Sequence, residues 1–173
     1  AISGSRAWFS TVNNSGGTPR VLRSTDRGKT WVVGTSVSVL ALGSELSSIA
    51  FASDSLGLVQ GINGNMIRTT TAGRTWSATI ITGATVGGSV DFATPTSAVF
   101  LGPRGQSGTS LDAGLTWTGR TTPDTTSIYR MSFSSSQDGW AVGNRGTIWK
   151  WVGGQLPGPP WVTTTPVTNI GAT

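Results

Sequence analysis

Ser24-Thr25-Asp26-Arg27-Gly28-Lys29-Thr30-Trp31 decides how this chain is read, because it recurs. Ser110-Leu111-Asp112-Ala113-Gly114-Leu115-Thr116-Trp117 repeats the pattern S-x-D-x-G-x-T-W in full. Thr69-Thr70-Thr71-Ala72-Gly73-Arg74-Thr75-Trp76 keeps Gly73, Thr75 and Trp76 but has Thr at the Ser and Asp positions. A fourth echo retains only Gly158 and Trp161. The tryptophans at 31, 76, 117 and 161 are 45, 41 and 44 residues apart, a period that marks a repeat architecture.

Working upstream from each box, the same elements return in the same order. Ser48–Ser53, Ser89–Thr94 and Arg130–Ser135 each place an aliphatic residue two positions before Phe51, Phe92 or Phe133. That spacing sends both side chains to one face of a strand. A polar turn leads to a second strand at Gly57–Gly61, Ala98–Gly102 and Gly139–Gly143. Gly-rich corners follow at Asn63-Gly64-Asn65, Pro103-Arg104-Gly105 and Asn144-Arg145-Gly146, suited to the positive φ of tight hairpins. A third strand runs into the box, and a fourth starts at its Trp. The expected fold is all-β: a β-propeller of four-stranded antiparallel blades of roughly 43 residues. About four blades occupy 1–34, 45–80, 87–120 and 128–162, within a single domain or as part of a larger propeller. Residues 1–34 show only the later part of a repeat, so its first strand is expected to be missing. Segment 163–173 is the candidate closing strand, either for this chain's own ring or for blades shared between copies.

Composition supports strands and turns: 25 Gly and eight Trp, but one Glu, two Lys and 11% charged residues. The net charge of +5 is scattered, without the basic stripe expected of a nucleic-acid binder. No apolar run reaches the ~20 residues of a membrane span. Cysteine and histidine are absent, which removes disulfides, thiolate metal sites and the commonest general base. No metal site or cofactor is expected. The start at Ala1 is that expected of a processed mature protein or an excised segment, and the low charge and Ser/Thr/Gly richness lean towards an extracytoplasmic (secreted, periplasmic or cell-surface) one.

The boxes resemble Asp-box, or bacterial neuraminidase, repeats. Together with Gly139–Ile148 they most resemble the propellers of the photosystem II stability/assembly factor-like group. The resemblance implies a structural role for the box, remote from any active site. Ser24, Asp26, Gly28, Thr30 and Trp31, then Gly73, Thr75 and Trp76, then Ser110, Asp112, Gly114, Thr116 and Trp117 are therefore read as architecture. Asp and Ser would bond backbone amides across the turn, and Trp would pack between blades. Thr71, lacking a carboxylate, is expected to leave the second turn looser.

Sialidases share such boxes but are marked by an Arg-Ile-Pro segment and a Tyr–Glu pair; here no Arg-Ile-Pro occurs, and nothing ties Tyr129 to Glu45. Glycosidases of this architecture use two opposed carboxylates. Asp54 and Asp138 fall in equivalent turns. Asp91 lies in a first strand, facing the central channel or bonding a neighbouring strand. Binding is the remaining reading. One face should present Asn13, Asn14, Asn63, Asn65, Arg104, Gln106, Asn144 and Arg145, where Arg beside Asn and Gly offers donor forks for carboxylates, carbonyls or sugar hydroxyls. The resemblance implies that such an arginine-bearing face holds a partner protein. Trp149 is a candidate for stacking on a sugar, with inter-blade packing as its other reading. The expected function is a non-catalytic scaffold or assembly module with a protein partner. The alternative is a carbohydrate-binding propeller or the propeller portion of a secreted glycosidase.

Overall fold

The computed structural model describes residues 1–11, 19–34, 46–62, 65–79, 88–120, 122–153 and 161–164. They form four four-stranded antiparallel sheets, each strand paired to its sequence neighbour. The first contains β1 (Ile2–Ser3), β2 (Arg6–Ser10), β3 (Val21–Ser24) and β4 (Val32–Val33). The second contains β5 (Leu46–Phe51), β6 (Gly57–Gly61), β7 (Met66–Thr69) and β8 (Ser77–Thr79). The third contains β9 (Ser89–Phe92), β10 (Ala98–Leu101), β11 (Ser107–Ser110) and β12 (Thr118–Gly119). The fourth contains β13 (Ile128–Ser135), β14 (Asp138–Gly143), β15 (Ile148–Trp151) and β16 (Trp161–Thr163). These are blades of a β-propeller. The first blade does possess an inner strand, contrary to expectation: Ile2 pairs with Ala7 and Ser3 with Arg6 across a two-residue turn. Two residues are too short to show a hydrophobic alternation, which is why the sequence concealed it.

Period-2 alternation gives every sheet two apolar faces, and the faces stack. Trp8 and Val21 of the first blade pack on Leu46, Val59 and Ile67 of the second. Ala50, Leu58 and Met66 on the second blade's other face meet Val90, Ala98 and Phe100 of the third. Val99 and Leu101 then meet Ile128, Met131, Ala141, Trp149, Trp151 and Trp161 of the fourth. The core is thus three layers between blades. Trp8, stacked on Phe51 at 3.7 Å between centroids, illustrates how aromatic area binds one sheet to the next.

The first strands of the second, third and fourth sheets, β5, β9 and β13, border a central cleft of about 460 Å³ that Ala1 and Ser10 of the first blade also line. An inner edge leaves backbone groups unpaired, and side chains of the preceding blade satisfy them. Ser48 Oγ accepts from Val90 N (3.1 Å), Ser89 Oγ from Met131 N (3.1 Å) and Asp91 Oδ2 from Phe133 N (3.0 Å). Among the described residues the outward faces of the first and fourth blades stay open. Phe9 on the first blade's outward face is 58% exposed, and Trp140 on the fourth blade's is 43% exposed. The proposed closing segment beyond residue 164 lies outside the described residues, as do Glu45 and Gly158. Among the described residues no helix is long and apolar enough to cross a membrane.

Candidate binding face and the box turns

The two intact boxes are built by the same hydrogen bonds. Ser24 Oγ accepts from Gly28 N (2.8 Å) and donates to Asp26 Oδ1 (2.7 Å). Asp26 takes Thr30 N on Oδ1 (2.9 Å) and Thr30 Oγ1 on Oδ2 (2.5 Å). Ser110, Asp112, Gly114 and Thr116 repeat each contact within 0.1 Å. Arg27 and Gly28, like Ala113 and Gly114, occupy the left-handed region, with φ of 61° and 82°, and 59° and 85°. Donation from the threonine hydroxyl, then its amide, then the serine holds the Asp26 and Asp112 carboxyls down at about 2.

The second box is not looser in backbone. Ala72 and Gly73 have φ of 60° and 77°, and Thr69 Oγ1 accepts from Gly73 N at 3.0 Å. Thr71 Oγ1 substitutes for a carboxylate oxygen by accepting from Thr75 N (2.9 Å) and pairing with Thr75 Oγ1 (2.7 Å). The looseness is confined to bond lengths: Thr69 Oγ1 to Thr71 Oγ1 is 3.3 Å against 2.7 Å in the intact boxes, and Gly73 N to Thr69 Oγ1 is 3.0 Å against 2.8 Å. A hydroxyl both donates and accepts, so it keeps the geometry while losing the charge.

Box turns dock on the first hairpin of their own blade: Arg27 N, Ala72 N and Ala113 N donate to Ser5 O, Ser55 O and Thr96 O. The second-to-third-strand corners lie at the opposite ends of the strands. Arg104 and Arg145 occupy matching 3₁₀ turns with φ of 56° and 57°, each followed by a glycine at positive φ. An arginine there accepts about 1–2 kcal/mol of left-handed strain. Both side chains are exposed, and neither forms an ion pair among the described residues.

Between these corners runs the crossing from the third blade to the fourth. Thr122 Oγ1 lies 3.1 Å from Gly105 O, Asn144 N donates to Ser127 O at 3.0 Å, and Ile128 N donates to Gly102 O at 3.4 Å. A Cβ on Gly105 would come within 2.7 Å of Asp124 O, and one on Gly143 within 2.3 Å of Ser127 O, so both glycines admit the crossing strand. Thr125, Thr126, Ser127, Asn144 and Arg145 line a hollow of about 270 Å³. Tyr129, 55% exposed, donates its hydroxyl to Asn144 Oδ1. The arrangement offers guanidinium, amide and hydroxyl donors, a set suited to carboxylates and free carbonyls. Tyr129 and the 125–127 crossing were missed from sequence, because only the pairing of Ile128 with Gly143 brings them to the corner.

Other expected site residues are placed as follows. Asn65 is exposed at the second blade's corner, while Asn13, Asn14 and Asn63 lie outside the described residues. Trp149 is fully buried against the third blade and presents no ring face to a ligand. Trp149 and Trp151 share one face of β15, and the other face carries Lys150. Asp54 accepts from Ser3 Oγ (2.6 Å) and sits 3.8 Å from Arg6 Nε; Asp138 accepts from Ser134 Oγ (2.7 Å). Both hold turns. Asp91 lines the cleft yet spends Oδ1 on Phe92 N and Oδ2 on Phe133 N, and burial pushes its carboxyl above the usual range. No group of three or more metal-ligating side chains occurs among the described residues.

No protein-family model and no curated protein matches the chain. Solved structures do. YCF48 bound to a D1 peptide is 22% identical, with a TM-score of 0.69 over 94% of this chain and 50% of its own. YCF48 from Cyanidioschyzon merolae is 19% identical, with a TM-score of 0.61 over 94% and 60%. The GH74 enzyme of Niastella koreensis is 18% identical, with a TM-score of 0.72 over 93% and 28%. The chain therefore spans between about a quarter and three fifths of these propellers. At such identities the likeness is one of fold, shared by a peptide-bound YCF48 and a GH74 enzyme alike: this chain is a run of four propeller blades.

Proposed function

We propose that the chain is a non-catalytic, extracytoplasmic protein-binding module whose corner face receives an acceptor-rich segment of a partner protein. The observation that carries this reading is the pair of exposed, strained arginines, Arg104 and Arg145, held on either side of the clamped 122–128 crossing and in no ion pair among the described residues. A guanidinium fixed in this way keeps its fork free for a partner's carboxylate or carbonyls. That a propeller of the same fold was solved with a bound peptide supports the class of ligand. The low charge and the Ser/Thr-rich composition support the location.

The test is peptide-array and pull-down binding with wild type and with Arg104→Ala plus Arg145→Ala. Loss of two charge-assisted bonds, about 1.5–3 kcal/mol each, should weaken capture at least tenfold while far-UV circular dichroism is unchanged. Binding that ignores both arginines would sink the reading. The sugar-stacking alternative lacks its residue, since Trp149 is buried. Hydrolysis would need Asp91 and a second carboxylate; turnover of any glycoside that Asp91→Asn abolishes would overturn the non-catalytic form.

A further inference from the structure

Each inter-blade layer obeys a register rule that the exposed faces of the first and fourth blades leave unfinished. Strand pairing puts Trp8, Leu58, Val99 and Trp140 at one position, opposite Arg23, Arg68, Thr109 and Lys150. These positions face the following blade. Where that blade carries a box, they send a donor to the carbonyl just before the box glycine. Trp8 Nε1 donates to Ala72 O at 3.1 Å, and Arg68 Nε to Ala113 O at 2.8 Å. They also roof the glycine itself: a Cβ on Gly73 would lie 3.4 Å from Trp8, and one on Gly114 2.5 Å from Leu58. The third blade precedes the repeat whose box has decayed. It has Val99 at the first position, and the Thr109 hydroxyl at the second is taken by Arg120 Nε.

The fourth blade restores both donors. Trp140 is 43% exposed with Lys150 Nζ 5.2 Å from its ring centroid, and Val142 and Val162 beside them are exposed. The first blade supplies the missing half. Arg27 is exposed, and a Cβ on Gly28 would meet only Trp31 of the same box, at 3.5 Å. Next to that box Phe9 and Val33 lie open, with Phe9 4.8 Å from Trp31. In the third blade the counterpart of Phe9 is Phe100, which packs on Leu58 and Met66; the counterparts of those two in the fourth blade are Trp140 and Ile148.

We propose that a second copy of this chain docks head to tail on the fourth blade. Trp140 and Lys150 of one copy cover Arg27 and Gly28 of the other, Phe9 seats on Trp140 and Ile148, and the reciprocal contact closes a ring of eight blades. The interface continues the three layers already present, and both of its halves belong to this one sequence. Eight blades fall within the four to eight of known propellers. Because the contact is heterologous, closure of the ring is what prevents open polymers.

Light scattering should give twice the 17.8 kDa of the chain. The absence of cysteine makes an engineered cross-link unambiguous. Under mild oxidation, Arg27→Cys plus Lys150→Cys in one chain should yield a covalent dimer, and either substitution alone should yield none. Both sites are on the surface of the single copy, so the variants should fold as wild type does. A wild-type mass of one chain overturns the proposal. An internally bonded monomer of the double variant overturns it as well, showing one copy closing on itself. Lys150→Cys cross-linking alone shows face-to-face pairing, and a ladder of higher masses shows open polymerisation; either also overturns it.

Discussion

The first and third boxes share every motif residue and the same Ser–Asp–Gly–Thr hydrogen bonds, yet one turn is open and the other is enclosed. Ala113 and Gly114 are buried beneath Leu58 and Arg68 of the preceding blade, whereas Arg27 is exposed. Their φ values agree to within a few degrees. The box therefore shapes its turn by itself, and burial is contributed by the neighbour. This separates two jobs that a repeat motif performs together: closing a corner, and offering that corner as a surface for the next sheet.

Alanine at the two glycines should break the comparison most visibly. Gly28→Ala forces a side chain into positive φ and costs about 1–2 kcal/mol, with the methyl in ordinary contact with Trp31 at 3.5 Å. Gly114→Ala bears the same strain and drives its Cβ to 2.5 Å from Leu58 Cδ2, adding about 1–3 kcal/mol of overpacking. Denaturant unfolding, at concentrations low enough to keep copies apart, should rank Gly114→Ala clearly below Gly28→Ala. Equal losses would mean that the third box is not roofed by the second blade.

A smaller contrast is expected at the donors. Arg68→Met removes a charged donor from a carbonyl that stays enclosed, a loss of about 1.5–3 kcal/mol. Lys150→Met removes only the contact with Trp140, worth about 0.5–1 kcal/mol at an exposed site. These values apply to a single copy, at concentrations low enough to keep copies apart. Thermal melts of the two variants should therefore differ, and a Lys150→Met loss as large as that of Arg68→Met would contradict the register rule within one molecule.

What was legible in the sequence follows the same division. The corner-closing chemistry is local, so Ser24, Asp26, Gly28 and Thr30 announce it at fixed spacing, and the period gives the blades. The surroundings depend on register and on which face meets which sheet. Trp149 thus read equally well as a ligand platform or as core, and its burial follows from the third blade's Val99 and Leu101. Arg104 and Arg145 were visible as matching corners, but the 122–128 crossing that joins them was not, because its contacts are made to Gly102, Gly105 and Asn144 in strands far along the chain. The second box was misjudged for another reason. Losing a carboxylate suggested a looser turn, whereas two threonine hydroxyls rebuild the same backbone through their capacity to donate and accept.

That substitution leads to the smallest effect, and to the one on which the two intact boxes should agree. Asp26 and Asp112 have folded values near 2, below the ordinary 3.8, through bonds made wholly within each turn. A carboxyl depressed on folding contributes stability that is complete above about pH 4 and drains away as pH falls towards 2. Both groups are fully exposed, so solvent screens the effect and the loss should be modest. Its origin is local, and Asp26→Asn and Asp112→Asn should therefore flatten the acid limb of stability equally, despite the different cover over their turns. Thr71→Asn should leave that limb unaltered, since the second box carries no charge to protonate. Acid titrations of the three variants, followed by tryptophan fluorescence, test this directly. A steeper dependence at Asp112 than at Asp26 would show that the roof over the third box reaches its carboxylate as well as its glycine, and corner closure and blade stacking would then be coupled.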